Sequence, residues 1–151
     1  MIRIYLDNCC YNRPYDDQSQ LTVSMETQAK LWIQNMVKNK RFELATSYVL
    51  IYENSRNPHL MRRESISEYI DKFSHIYVSE KNRDSIEKLA TDIMSTGVKH
   101  ADACHVASAI LSECDVFLTT DKRLLKYDSD KVRVMNPIDF IQQIGEESDD
   151  K

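Results

Sequence analysis

Two glycines and three prolines among 151 residues leave little for the turns of a loop-rich, all-β fold and leave room for long helices. No run of about 18 apolar residues occurs, so no segment reads as a membrane span. The opening Met1-Ile2-Arg3-Ile4-Tyr5-Leu6 meets an acid at Asp7 before a secretory leader can develop its apolar region. Positive charge is not in excess. The net charge of −4 argues against tight, indiscriminate binding of polyanions, although a local basic rim can still guide one to an acidic, metal-holding site. The cysteines Cys9, Cys10, Cys104 and Cys114 lack metal-knuckle spacing, and two are adjacent. Reduced thiols in a cytoplasmic setting are therefore expected, not a disulfide framework.

What the chain does have is short apolar runs alternating with helical periodicity. Ile2 to Leu6 reads as a buried strand ending at Asp7, and the polar stretch Asn8 to Gln20 as a loop. From Leu21 to Lys38, apolar residues recur every three or four positions and predict an amphipathic helix with Trp32 as a core anchor. Arg41 to Thr46 reads as a strand, and Ser47 caps a helix from Tyr48 to Arg56 that Asn57-Pro58 stops. Leu60 to Phe73 is helical, His75 to Val78 extended, and Ser79 begins a helix ending near Gly97. Val98 to Cys114 is the strongest helical stretch. A strand from Asp115 to Thr119, a short helix from Asp121 to Lys126 and a strand from Lys131 to Met135 follow. Asn136-Pro137 opens a last helix with Asp139 near its positive end, and Gly145 is expected to close it. The expectation is one α/β domain over residues 1–145, a parallel sheet with helices on both faces, and an acidic, frayed tail over residues 146–151.

Four acids fall where that architecture matters. Asp7 and Asp121 follow strands, and ligands of an open parallel sheet bind outside the strand carboxyl ends. Glu53 sits among Leu50, Ile51 and Tyr52, and Asp102 among Ala101, Ala103 and Ala107. An acid among small apolar residues is costly to bury unless paired or bound to metal. Singly, each has an ordinary explanation: a helix cap for Asp121, a helix N-terminus for Asp102, a solvated helix face for Glu53. Together they describe carboxylates that repel one another, which a hard divalent cation relieves. Oxygen donors alone suit Mg²⁺ or Mn²⁺ and not zinc.

Through Ile4-Tyr5-Leu6-Asp7-Asn8, Ser47 with Glu53, His100-Ala101-Asp102-Ala103 with Ala107, and Leu118-Thr119-Thr120-Asp121, the chain resembles the PIN-domain family of metal-dependent ribonucleases. In size it is similar to the VapC-like toxin nucleases of toxin–antitoxin pairs. The resemblance implies a three-layer αβα domain with a five-stranded parallel sheet, Mg²⁺ or Mn²⁺ held by Asp7, Glu53, Asp102 and Asp121, and supporting roles for Asn8 and Thr120. It also implies an RNA substrate, a cognate antitoxin protein and a homodimer. The stretch Cys9 to Asp17 departs from the family's usual small-residue entry to the first helix.

On this reading the chain is an endoribonuclease, with a catalytically silent RNA- or protein-binding module as the alternative. A phosphatase-like hydrolase fits less well, because Asp7-Asn8-Cys9 lacks the second acid of an Asp-x-Asp. Arg13, Arg56, Lys99, Lys122 and Arg123 are the candidate phosphate contacts, each near an acidic segment. His100 and His105 flank Asp102, but a spacing of five puts them on different helix faces and against a shared metal. Tyr11 and Tyr15 are weak candidates for stacking on bases.

Overall fold

A computed structural model of the chain describes residues 1–149. Strands β1 (Ile2–Leu6), β2 (Phe42–Ser47), β3 (Ile76–Val78), β4 (Val116–Leu118) and β5 (Arg133–Met135) form one sheet in the order β3-β2-β1-β4-β5. All four pairings are parallel. Parallel neighbours need crossover connections, which the helices supply. These are α1 (Asn8–Asn12), α2 (Leu21–Lys38), α3 (Tyr48–Ser55), α4 (Leu60–Phe73), α5 (Arg83–Met94), α6 (His100–Leu111) and α7 (Pro137–Asp149). Single 3₁₀ turns lie at Arg13–Tyr15, Glu80–Asn82 and Leu124–Lys126.

The period of two along each strand creates two cores. Ile4, Leu6, Leu44, Val116 and Leu118 point to one face, against Ile33, Val37, Ile66, Ile70 and Phe140. Tyr5, Ala45 and Phe117 point to the other, against Ile86, Ala90, Val106 and Ala107 of α5 and α6. The architecture is the expected α/β one, with helix layers on both faces of a five-stranded parallel sheet. The order of strands reverses at β1, which has β2 on one side and β4 on the other. Leu6 pairs with Leu118, so the carboxyl ends of β1 and β4 finish side by side. That switch point is where this fold opens a crevice.

Several local expectations need correction. The segment after β1 is not a loop throughout: the Asp7 carboxylate accepts the Asn8 N–H (2.8 Å) and caps α1, and a 3₁₀ turn follows. In α2 the buried stripe is Val23, Glu26, Thr27, Ala29, Lys30, Ile33 and Val37. Trp32 is therefore no core anchor; it stays 39% exposed, edge-on to Phe42. Polar residues occupy that stripe because the chain after β1 folds back and supplies partners. The Glu26 carboxylate accepts from Arg13 (2.7 and 2.9 Å) and from Asn136 (2.5 Å). The last helix continues through Gly145 to Asp149. Gly145 is not in the left-handed conformation that ends helices, whereas Gly97, with φ of +105°, lies just past α5. Residues 146–149 of the expected tail are thus helical, and Asp150 and Lys151 lie outside the described residues.

Candidate functional site

Asp7 is placed by the end of β1: its N–H donates to the Leu118 carbonyl of β4 (2.9 Å), carrying the sheet one residue past the strand. Its carboxylate is 5% exposed and well supplied with donors. Oδ1 takes the Asn8 N–H, and Oδ2 takes the Thr119 hydroxyl (2.9 Å) and the Cys9 thiol (3.4 Å). The hydroxyl on Asp7 is therefore that of Thr119; Thr120, the expected supporting residue, gives its backbone N–H to Cys9 Sγ (3.4 Å).

Glu53 lies on α3, whose start is fixed by Ser47 accepting the Leu50 N–H (3.3 Å). Its carboxylate is bound on both oxygens. Asn8 Nδ2 donates to Oε1 (3.0 Å), and His105 Nε2 donates to Oε2 (2.6 Å). Asn8 therefore supports Glu53. His105 is 1% exposed, and its Nδ1 meets the Tyr5 hydroxyl (2.8 Å), which in turn meets Ser47 Oγ (2.7 Å). Burial works against a charged imidazole here. The Glu53 hydrogen bond and the charges of Asp7, Glu53 and Asp102 outweigh it, and raise the His105 pKa. The His105 hydrogen bond correspondingly lowers the Glu53 pKa against the effect of burial.

Asp102 stands in the first turn of α6, one turn before His105. Among the described residues none donates a hydrogen bond to its carboxylate. Burial, then the charges of Asp7 and Asp121, raise its pKa; His105 offsets part of this and Glu53 adds to it. All four acids thus share one electrostatic neighbourhood. Asp121 follows β4 and caps the next turn, its Oδ1 accepting the Arg123 N–H (2.9 Å). No three of the four carboxylates, however, bring oxygens within 4.8 Å of one another; the group of described residues that does so is Glu87, His100 and Cys104.

Asp102 and Asp121 line a cavity of about 710 Å³ together with Lys99, Lys122, Arg123 and Lys126. Glu53 and Arg56 line a second groove of about 570 Å³ between α3, α5 and α6. Three of the five candidate phosphate contacts therefore gather beside the acids and one lies over the neighbouring groove. Arg13 lines neither cavity. It is held by Glu26 and by Asp16 (3.0 Å), so its role is to fasten the chain after β1 onto α2. Tyr11 is 1% exposed and cannot stack on a base; Tyr15 is partly exposed with Arg62 over its ring.

Thr119 and Tyr5 are residues to which sequence reasoning gave no role, and His105 was weighed only as a metal ligand and set aside. His105 follows Asp102 by three positions, which places both on one face of a helix. That spacing was the available signal. His100, five residues earlier, instead meets Glu87 on the opposite side (2.9 Å), so the two histidines share no ligand. No helix among the described residues is long and apolar enough to cross a membrane. Compared with known protein families and with curated proteins, the chain matches none.

Proposed function

We propose that the chain is a metal-dependent nuclease that hydrolyses RNA phosphodiester bonds, with Mg²⁺ or Mn²⁺ held by Asp102, Asp7 and Asp121. The observation that carries this reading is Asp102: a half-buried carboxylate with no donor among the described residues, its pKa raised by burial and then by Asp7 and Asp121, lining a cavity with Lys99, Lys122 and Arg123. An unpartnered acid among other acids is unfavourable unless a cation joins it. The oxygen-only donor set fits a hard cation. When bound, such an ion lowers the pKa of a coordinated water and polarises phosphoryl oxygens.

The chain's own residues divide the remaining work. Lys99, Lys122 and Arg123 hold the phosphates of a polyanion over Asp102 and Asp121. Thr119, Cys9 and the Asn8 N–H orient Asp7; two of these donors fall on Oδ2 and one on Oδ1, which leaves a lone pair of Oδ1 for a ligand. Glu53, fixed by Asn8 and His105, accepts a hydrogen bond from water at the site and does not contact the ion directly. His105, buried and with its pKa raised by Glu53 against the effect of burial, lowers the Asp102 pKa and so offsets part of the acids' mutual repulsion.

RNA as the substrate, a protein antitoxin as the partner and a homodimer as the assembly come from the resemblance to VapC-like toxins and belong to the same proposal. A second reading, a silent binding module on this fold, is favoured by one observation: among the described residues, no three of the four carboxylates bring oxygens within 4.8 Å of one another. The two are separated by incubating single-stranded RNA with the purified chain, with and without Mn²⁺. Cleavage that needs Mn²⁺ and disappears in Asp7→Asn supports the nuclease; binding without cleavage in either condition selects the module.

A further inference from the structure

We propose that Glu87, His100 and Cys104 form a second, separate metal site that takes a zinc-class divalent cation between α5 and α6. The proposal does not rest on the nuclease reading. His100 and Cys104 lie one turn apart on α6 and so share a face, and Glu87 reaches across from α5. Glu87 Oε1 lies 3.2 Å from His100 Nε2, Cys104 Sγ lies 3.4 Å from that nitrogen, and Sγ lies 3.9 Å from Oε1. Tetrahedral zinc, with bonds of about 2.0–2.1 Å to nitrogen and oxygen and about 2.3 Å to sulfur, needs donor–donor edges of roughly 3.3–3.6 Å. The three donors already stand near the corners of one face of that tetrahedron. A His–Glu pair at a surface needs no thiol beside it.

The donor set selects the cation. A thiolate with an imidazole and one carboxylate suits zinc, and disfavours the magnesium or manganese expected among carboxylates alone. His100 and Glu87 are about half exposed, at 57% and 48%, and Cys104 closes the site from below. The donors line the 570 Å³ groove that also carries Tyr52, Arg56 and Glu53. Three protein ligands leave the fourth position open to that groove, for water or a ligand atom. On binding, the Cys104 thiol releases its proton to solvent and His100 coordinates through Nε2 with its proton on Nδ1.

Cobalt(II) titration of the full chain, stripped of metal and kept reduced, tests the site. One equivalent is expected to bind with the intense visible bands of tetrahedral cobalt and a thiolate-to-cobalt charge-transfer band, both abolished by added Zn²⁺. Cys104→Ser removes the charge-transfer band. His100→Gln, at an exposed position that leaves the core untouched, weakens binding more than about tenfold. Asp7→Asn leaves the spectrum unchanged. A spectrum without the thiolate band, a band that survives Cys104→Ser, unweakened binding in His100→Gln, or a band lost in Asp7→Asn overturns the proposal.

Discussion

The Glu53–His105 pair sets a pH window that single substitutions can expose. His105 has a folded pKa above its ordinary 6.5. Its contribution to stability is complete below that value and is lost as pH rises through the raised folded value. Glu53 has a folded pKa below its ordinary 4.5, so its contribution is complete above 4.5 and lost as pH falls through the lowered value. The pair is at full strength between about 4.5 and 6.5. His105→Gln is expected to lower stability by about 1–3 kcal/mol, because Tyr5 and Glu53 lose a buried partner. Denaturant midpoints measured from pH 5 to 9 should fall with pH in the wild type and flatten in the variant. Asp102 has the opposite sign. Its pKa is raised by burial and like charge, so ionising it strains the fold. Asp102→Asn is expected to raise Tm of the metal-free protein while abolishing cleavage; a lower Tm would remove the electrostatic argument.

At the level of elements, Arg13 fastens the chain between β1 and α2. Its guanidinium bridges Glu26 of α2 and Asp16, and Asn136, just before α7, completes Glu26 on the other oxygen. Arg13→Ala leaves a 3% exposed carboxylate short of a cation and is expected to cost about 1–3 kcal/mol in urea unfolding. The salt dependence of RNA binding should not change in that variant, since Arg13 lines neither groove. In α2 the apolar period gives weight to Trp32 and none to Glu26 and Lys30, because amphipathicity ranks residues by type and not by partner. Tertiary pairing reversed that ranking. In α6, by contrast, Asp102 and the small residues around it were legible, and the i, i+3 relation to His105 was present but unused. The strand runs and the switch-point positions of Asp7 and Asp121 were legible because parallel strands are short, apolar and end on the crevice side. Thr119 was not, because which of two adjacent threonines points at Asp7 depends on how far β4 extends.

For the whole molecule, the proposed function requires a net charge of −4 to coexist with binding of a polyanion, which a local cluster of cations would permit. Lys99, Lys122, Arg123 and Lys126 share one cavity with two of the acids. Lys122→Ala with Arg123→Ala is expected to weaken RNA binding and to reduce the slope of log K against log[salt] by about 1.4, some 0.7 for each lost contact on a single strand. An unchanged slope would show that these cations face solvent only. The central proposal is that Asp102, with Asp7 and Asp121 at the β1–β4 switch point, holds a hard divalent cation. The most direct measurement is Mn²⁺ binding followed by electron paramagnetic resonance of the metal-free chain, in wild type, Asp102→Asn and Cys104→Ser. The account predicts saturable Mn²⁺ binding in wild type and in Cys104→Ser, and its loss in Asp102→Asn. Equal binding in Asp102→Asn, or none in the wild type, would contradict it.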